Sequence, residues 1–190
     1  MTTKELDEQY SDLFAELYEE FTDELIPCEL MHEGEGRFDS LTVFFEDLAA
    51  EGNATVGEFY FLPLLMNDDS DLQIFVNYFT LETEVTEENL GEVIGAANIL
   101  NAYLPVGSFF YDPESKGLCY RYAAALPFPL SDEALKDQVD LAMGVAVDIL
   151  QRFGYMILEV NDGERNAESL LGVLTPENMQ EQDTKEGEQD

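Results

Sequence analysis

Phe59-Tyr60-Phe61-Leu62, then Asn67-Asp68-Asp69-Ser70-Asp71, then Leu72-Gln73-Ile74-Phe75-Val76-Asn77-Tyr78-Phe79: this succession, within Gly57 to Leu81, sets the architecture. Aromatic and β-branched residues suit a pleated, half-buried surface, whereas Asn, Asp and Ser suit a turn. The stretch predicts a β-hairpin at the middle of a sheet. Side chains alternate across a strand, so Leu72, Ile74, Val76 and Tyr78 share one face and Gln73, Phe75, Asn77, Phe79 and Leu81 the other. Both faces are apolar, and an antiparallel sheet ordinarily shows polar residues to water on one side. Phe75, Phe79 and Leu81 break that alternation, and with Arg121 they form the expected partner-binding face. Either a partner covers it or a helix of this chain does, the first helix being the candidate.

Outward from the hairpin, the chain reads as helices and short strands in alternation. Thr2 to Leu25 carries Leu6, Tyr10, Leu13, Phe14, Leu17, Phe21 and Leu25 at three- and four-residue steps, one apolar stripe on an otherwise acidic helix. Thr2 and Glu5 fit a capping box, and Pro27 stops the helix. Strands follow at Cys28 to His32 and Leu41 to Phe45, separated by Glu33-Gly34-Glu35-Gly36, with Asp47 to Thr55 read as a polar loop. Phe59 to Met66, with Pro63 inside it, reads as fully buried or bent near an edge.

Thr86 caps a second helix with Leu90, Val93, Ile94, Ala97, Leu100 and Leu104 on its buried side, ended by Pro105. A second hairpin runs from Val106 to Tyr111 and Leu118 to Phe128 around Asp112-Pro113-Glu114-Ser115-Lys116-Gly117. Ser131 caps a third helix to about Glu159, with Gly154 a candidate C-cap. Leu170-Leu171-Val173-Leu174 fits a short docked helix. The expected fold is therefore α+β: an antiparallel sheet with a meander and a second hairpin, packed by three helices in the order α-β-β-β-β-α-β-β-α. Residues 1–174 form one domain, and 175–190 read as an acidic disordered tail.

Composition narrows the function classes. At 190 residues, 45% hydrophobic and 12% aromatic, the chain can bury a substantial core. Forty-two acidic against 8 basic residues give a formal charge of −34, which repels nucleic-acid backbones and anionic membranes and favours basic partners. The same charge also fits plain solubility. No apolar run approaches a membrane span, no basic-then-apolar leader opens the chain, and two cysteines make no disulfide framework. The expectation is a cytoplasmic protein that neither inserts in membranes nor binds nucleic acid.

No chemistry is named by the residues. His32 is the one histidine; Cys28, four residues earlier, would share its strand face, and with it make a thiolate–imidazole pair or half a zinc site, but no second ligand pair has metal spacing. Asn67 to Asp71 lacks the glycine and closing glutamate of a calcium loop and reads as a solvated hairpin tip. No catalytic residue, metal or cofactor is expected.

Asn98-Ile99-Leu100-Asn101, then Val106 to Asp112, then Lys116-Gly117-Leu118-Cys119-Tyr120-Arg121-Tyr122, then the helix from Ser131 to Phe153, together resemble the YbjN family of bacterial proteins, over about Leu72 to Glu159. The resemblance implies a domain like a type III secretion chaperone, non-enzymatic, that dimerises or holds a partner segment against its sheet and helices; it supplies no catalytic residues. The long acidic first helix, the Glu33 to Gly36 insert and the acidic tail depart from the family. The leading expectation is thus a chaperone-like or regulatory protein-interaction module, a homodimer that binds a protein or peptide segment. The alternative is a small-molecule sensor domain with a pocket between the sheet and the second and third helices. An enzyme would need groups clustered about His32 or Cys28.

Overall fold

The first helix, α1 (Thr3–Asp23), lays its leucine and phenylalanine stripe on the sheet, with Leu6, Leu13, Phe14 and Leu17 buried. In this computed structural model, residues 3–31, 39–62 and 72–174 are described; Thr2, His32, the Glu33 to Gly36 insert, Pro63 to Asp71 and the tail lie outside them. Leu25 leaves the expected stripe: it lies beyond the helix, 89% exposed, with a left-handed φ of 62°. Its amide donates to the Thr22 carbonyl and that of Ile26 to the Phe21 carbonyl, the Schellman closure that usually places glycine here.

Among the described residues, six strands form one antiparallel sheet: β1 (Cys28–Met31), β2 (Ser40–Ala50), β3 (Asn53–Leu62), β4 (Leu72–Glu84), β5 (Ser108–Asp112) and β6 (Gly117–Pro127), in the spatial order β1-β2-β3-β4-β6-β5. The β3–β4 hairpin is central, with Phe61 opposite Phe75 and Gly57 opposite Phe79. The expected polar loop from Asp47 to Thr55 is instead strand, apart from the turn at Glu51-Gly52. A bulge between Phe45 and Ala50 shifts the register, Asp47 accepts from the Gly52 amide at 2.6 Å, and Leu48 and Ala49 turn into the core. Gly52, with φ +76°, supplies the left-handed turn.

Between the hairpins runs α2 (Leu90–Asn101), and after β6 comes α3 (Asp132–Asn161), followed by a 3-10 turn (Ala167–Ser169) and a short α4 (Leu170–Val173). Ser131 caps α3 by accepting from the Ala134 amide at 3.3 Å. Gly154 does not cap α3 but lies within it, where a Cβ would meet that of Ala49 at 2.7 Å. Ile94 is exposed rather than buried, and Ala96 takes its place in the core. By length and composition α3 is apolar enough to cross a membrane, with an 18-residue window of mean hydropathy 1.4, contrary to the expectation from sequence; 56% of that window is buried in this fold, as in a central core helix.

The core lies between the sheet and these helices. Phe14, Phe59, Phe75, Phe79, Leu135, Val139 and Leu150 are buried in one cluster with Leu100 and Phe109. Each fully buried side chain of this size contributes about 1.5–3 kcal/mol. At one end, the Tyr10 ring stacks on Phe61 at 3.8 Å, and its hydroxyl donates to Gln73 Oε1 at 2.6 Å. Gln73 in turn donates to the Pro127 carbonyl, so α1 is pinned to β4 and through it to β6. At the other end, Asn161 Nδ2 donates to Thr83 Oγ1 at 2.9 Å and Asn89 Nδ2 to the Asn161 carbonyl at 2.6 Å, fastening α3 to β4 and α2.

Candidate functional site

The strand register sorts the side chains of the sheet into two faces, since antiparallel partners directly opposite share a side. Phe75, Phe79 and Leu81 are on the helix side, 0%, 0% and 1% exposed. The expected partner-binding face is therefore corrected: these three are core. Large rings gather on that side because Gly57 leaves room opposite Phe79, where a Cβ would press on Phe59, Phe79 and Phe45 at 3.0–3.1 Å. Phe59 meets Phe79 edge-on at 5.5 Å, and Phe61 lies 5.1 Å from Phe75. Arg121, grouped with them from sequence, is exposed on the opposite face.

That opposite, outer face can be followed row by row. One row reads Thr42, Glu58, Tyr78, Arg121, Ser108 from β2 to β5. Beside it run Ser40, Tyr60, Val76, Ala123 and then Leu62, Ile74, Ala125, closing on Leu72 and Pro127. On the other flank are Phe44, Val56, Thr80, Cys119 and Phe110. Among the described residues, the core cluster shared with the helices contains none of Val56, Tyr60, Leu62, Ile74, Val76, Tyr78 or Phe110. Leu72 is 48% exposed and Phe44 38%, whereas Val76 and Cys119 are fully buried; Tyr60, Leu62 and Ile74 are half-buried. The outer face is thus an apolar and aromatic field crossed by one polar row.

Polar contacts fix the field's shape. Tyr78 donates its hydroxyl to Cys119 Sγ at 3.2 Å, and its ring meets Phe110 at 5.9 Å and 65°. Burial, reinforced by the Cys119 contact, pushes the Tyr78 phenol well above its ordinary range. Burial also pushes the Cys119 thiol up, outweighing the lowering effect of hydrogen bonds with Tyr78 and Thr80. Cys119 therefore stays a protonated thiol at neutral pH, a packing group rather than a nucleophile.

The remaining candidates are dispersed. Cys28 is half-buried in β1, 3.6 Å from Thr22 Oγ1, and His32 lies outside the described residues. Among the described residues no group of three or more His, Cys, Asp or Glu side chains could hold a metal ion. The space between the sheet, α2 and α3, where a sensor would need its cavity, is occupied by Val93, Leu100, Phe109, Leu118, Val139 and Ala146, all buried.

The outer field was missed in sequence because both faces of β4 are apolar. The signal that separates them is the register: Tyr78 sits between Glu58 and Arg121, a charged row that marks the solvent side. No family model matches the chain, and no curated protein matches it.

Proposed function

We propose that this protein is a non-enzymatic, chaperone-like or regulatory interaction module of the cytoplasm, which holds a basic, apolar-bearing segment of a partner polypeptide against the outer face of its sheet. One observation carries the reading: the field of Tyr60, Leu62, Ile74 and Leu72, outside the core cluster that the helices share. Apolar surface of this kind, here crossed by a charged row, is characteristic of partner surfaces. The formal −34 charge selects basic segments and speeds their encounter. The resemblance to YbjN proteins and secretion chaperones is part of the same proposal, since such domains hold segments rather than transform them.

A second copy of the chain is the competing occupant, and salt separates the two. Two copies at −34 each repel, so a homodimer through this face tightens as salt screens the charge; a basic partner loosens. The test places a photo-crosslinking residue at Ile74, with Asp148 on the outer side of α3 as control, in the cells that make the protein. Adducts to a basic polypeptide from position 74 and not from 148 are the expected result. Adducts between copies alone would make the face a dimer surface, and equal labelling from both positions would remove the reading.

A further inference from the structure

On the helical side of the molecule, away from the outer sheet face, α1 and α3 part to leave an open groove of about 250 Å³. Phe21, Phe45 and Val147 help to line it, and Glu20, Glu24 and Asp140 add carboxylates. Lys136 bridges the two helices, 3.0 Å from both Glu20 and Asp140. Partial burial lowers the affinity of its amine for a proton, but Glu20 and Asp140 together more than restore it, so the bridge stays charged.

We propose that this groove is a second docking site, seating one large apolar side chain of a basic amphipathic helix. Three observations select that occupant. The volume is below the roughly 300 Å³ at which small-molecule pockets begin, so it suits a single anchoring side chain. Lys136 already engages Glu20 and Asp140, so Glu24 beside the apolar floor, in a chain whose whole field is negative, is the carboxylate that complements a lysine or arginine one turn from that anchor.

The third observation is Gly144. A mid-helix glycine costs about 1 kcal/mol relative to alanine. Gly154 has a reason for being glycine, because Ala49 presses on it; at Gly144 a Cβ would meet nothing within 4 Å. Internal packing does not require that glycine, and its effect is to keep the groove clear. The site does not depend on the sheet-face reading.

The test uses the full chain and a fluorescein-labelled peptide of about 18 residues, or about five helical turns, with leucines on one helical face and lysines on the other. A scrambled peptide of the same composition is the control, and binding is read by anisotropy. The expected result is binding at least about tenfold tighter than the scrambled peptide, weakened about tenfold by Gly144→Leu. Glu114→Gln, exposed in the turn between β5 and β6, should leave it unchanged, and Glu24→Gln should reduce its salt dependence. Melting temperatures accompany each variant; if Gly144→Leu melts lower than wild type, Gly144→Gln, a good helix former, takes its place. Equal binding of the scrambled peptide, or wild-type binding by the groove-filled variant, overturns the proposal. Loss with Ile74→Glu but not with Gly144→Leu also overturns it, and moves the peptide to the sheet face.

Discussion

Replacing Gly144 or Gly154 by alanine makes the same chemical change twice in one helix, and the structure requires opposite outcomes. Alanine gains about 1 kcal/mol over glycine in a helix interior. At position 144 the added methyl meets nothing within 4 Å, so the gain is kept. For a chain of this size 1 kcal/mol corresponds to about 2–4 °C in Tm, so Gly144→Ala should melt about 2–4 °C higher. At position 154 the methyl would lie 2.7 Å from the Ala49 Cβ and 3.1 Å from its Cα, backbone that cannot swing aside. Overpacking of this kind costs about 1–3 kcal/mol, which exceeds the helical gain; Gly154→Ala should lose about 1 kcal/mol. Adding Ala49→Gly to Gly154→Ala removes the nearer atom and should recover at least about 0.5 kcal/mol as coupling. Urea unfolding of these three variants, of Ala49→Gly alone and of the wild type measures all of this. A stabilised Gly154→Ala would refute the packing of α3 on β2, and a Gly144→Ala no better than wild type would refute the open space at position 144.

Three further outcomes follow from single contacts. Leu25→Gly should stabilise by about 0.5–1 kcal/mol in the same assay, because a left-handed leucine costs about 1–2 kcal/mol, the unfolded glycine returns part of that, and an exposed side chain has little packing to lose. Asn101→Ala should cost about 1–3 kcal/mol, since the Asn101 amide serves both the amide and the carbonyl of Phe109, at 2.8 and 2.9 Å, and alanine leaves them without it. Tyr10, Tyr78 and Tyr120 all have phenols pushed upward, chiefly by burial. Their folded pKa values lie above the unfolded value of about 10, so their contribution is complete below pH about 10 and is lost as the pH rises from there through the folded values. The tyrosinate absorbance of these three should therefore appear only with unfolding; ionisation of all nine tyrosines in a still-folded chain would contradict the burial of these three.

Much of the fold was legible because its signals are local. The stripe of Leu6, Leu13, Phe14 and Leu17, the Ser131 cap and the two hairpins each depend on residues a few positions apart, and each is found where periodicity and turn chemistry put it. Failures occur where distant segments decide. The strand around Asp47 looked like a loop because its polar residues face water through a bulge, while Leu48 and Ala49 find their partners on α3, a hundred residues on. Gly154 looked like a helix end because the Ala49 contact that explains it is equally remote. The candidate site failed for the same reason. Strand parity correctly separates Phe75 from Ile74, but only pairing with Glu58 on one side and Arg121 on the other tells which set lies away from the helices.

The β5 margin of the sheet carries its own block. Along β5, the Asn101 side chain takes the place a neighbouring strand's peptide group would occupy opposite Phe109. A strand arriving at that margin would have to displace Asn101 before it could pair with Phe109. An edge occupied in this way is shielded from strand-by-strand growth between copies of the chain.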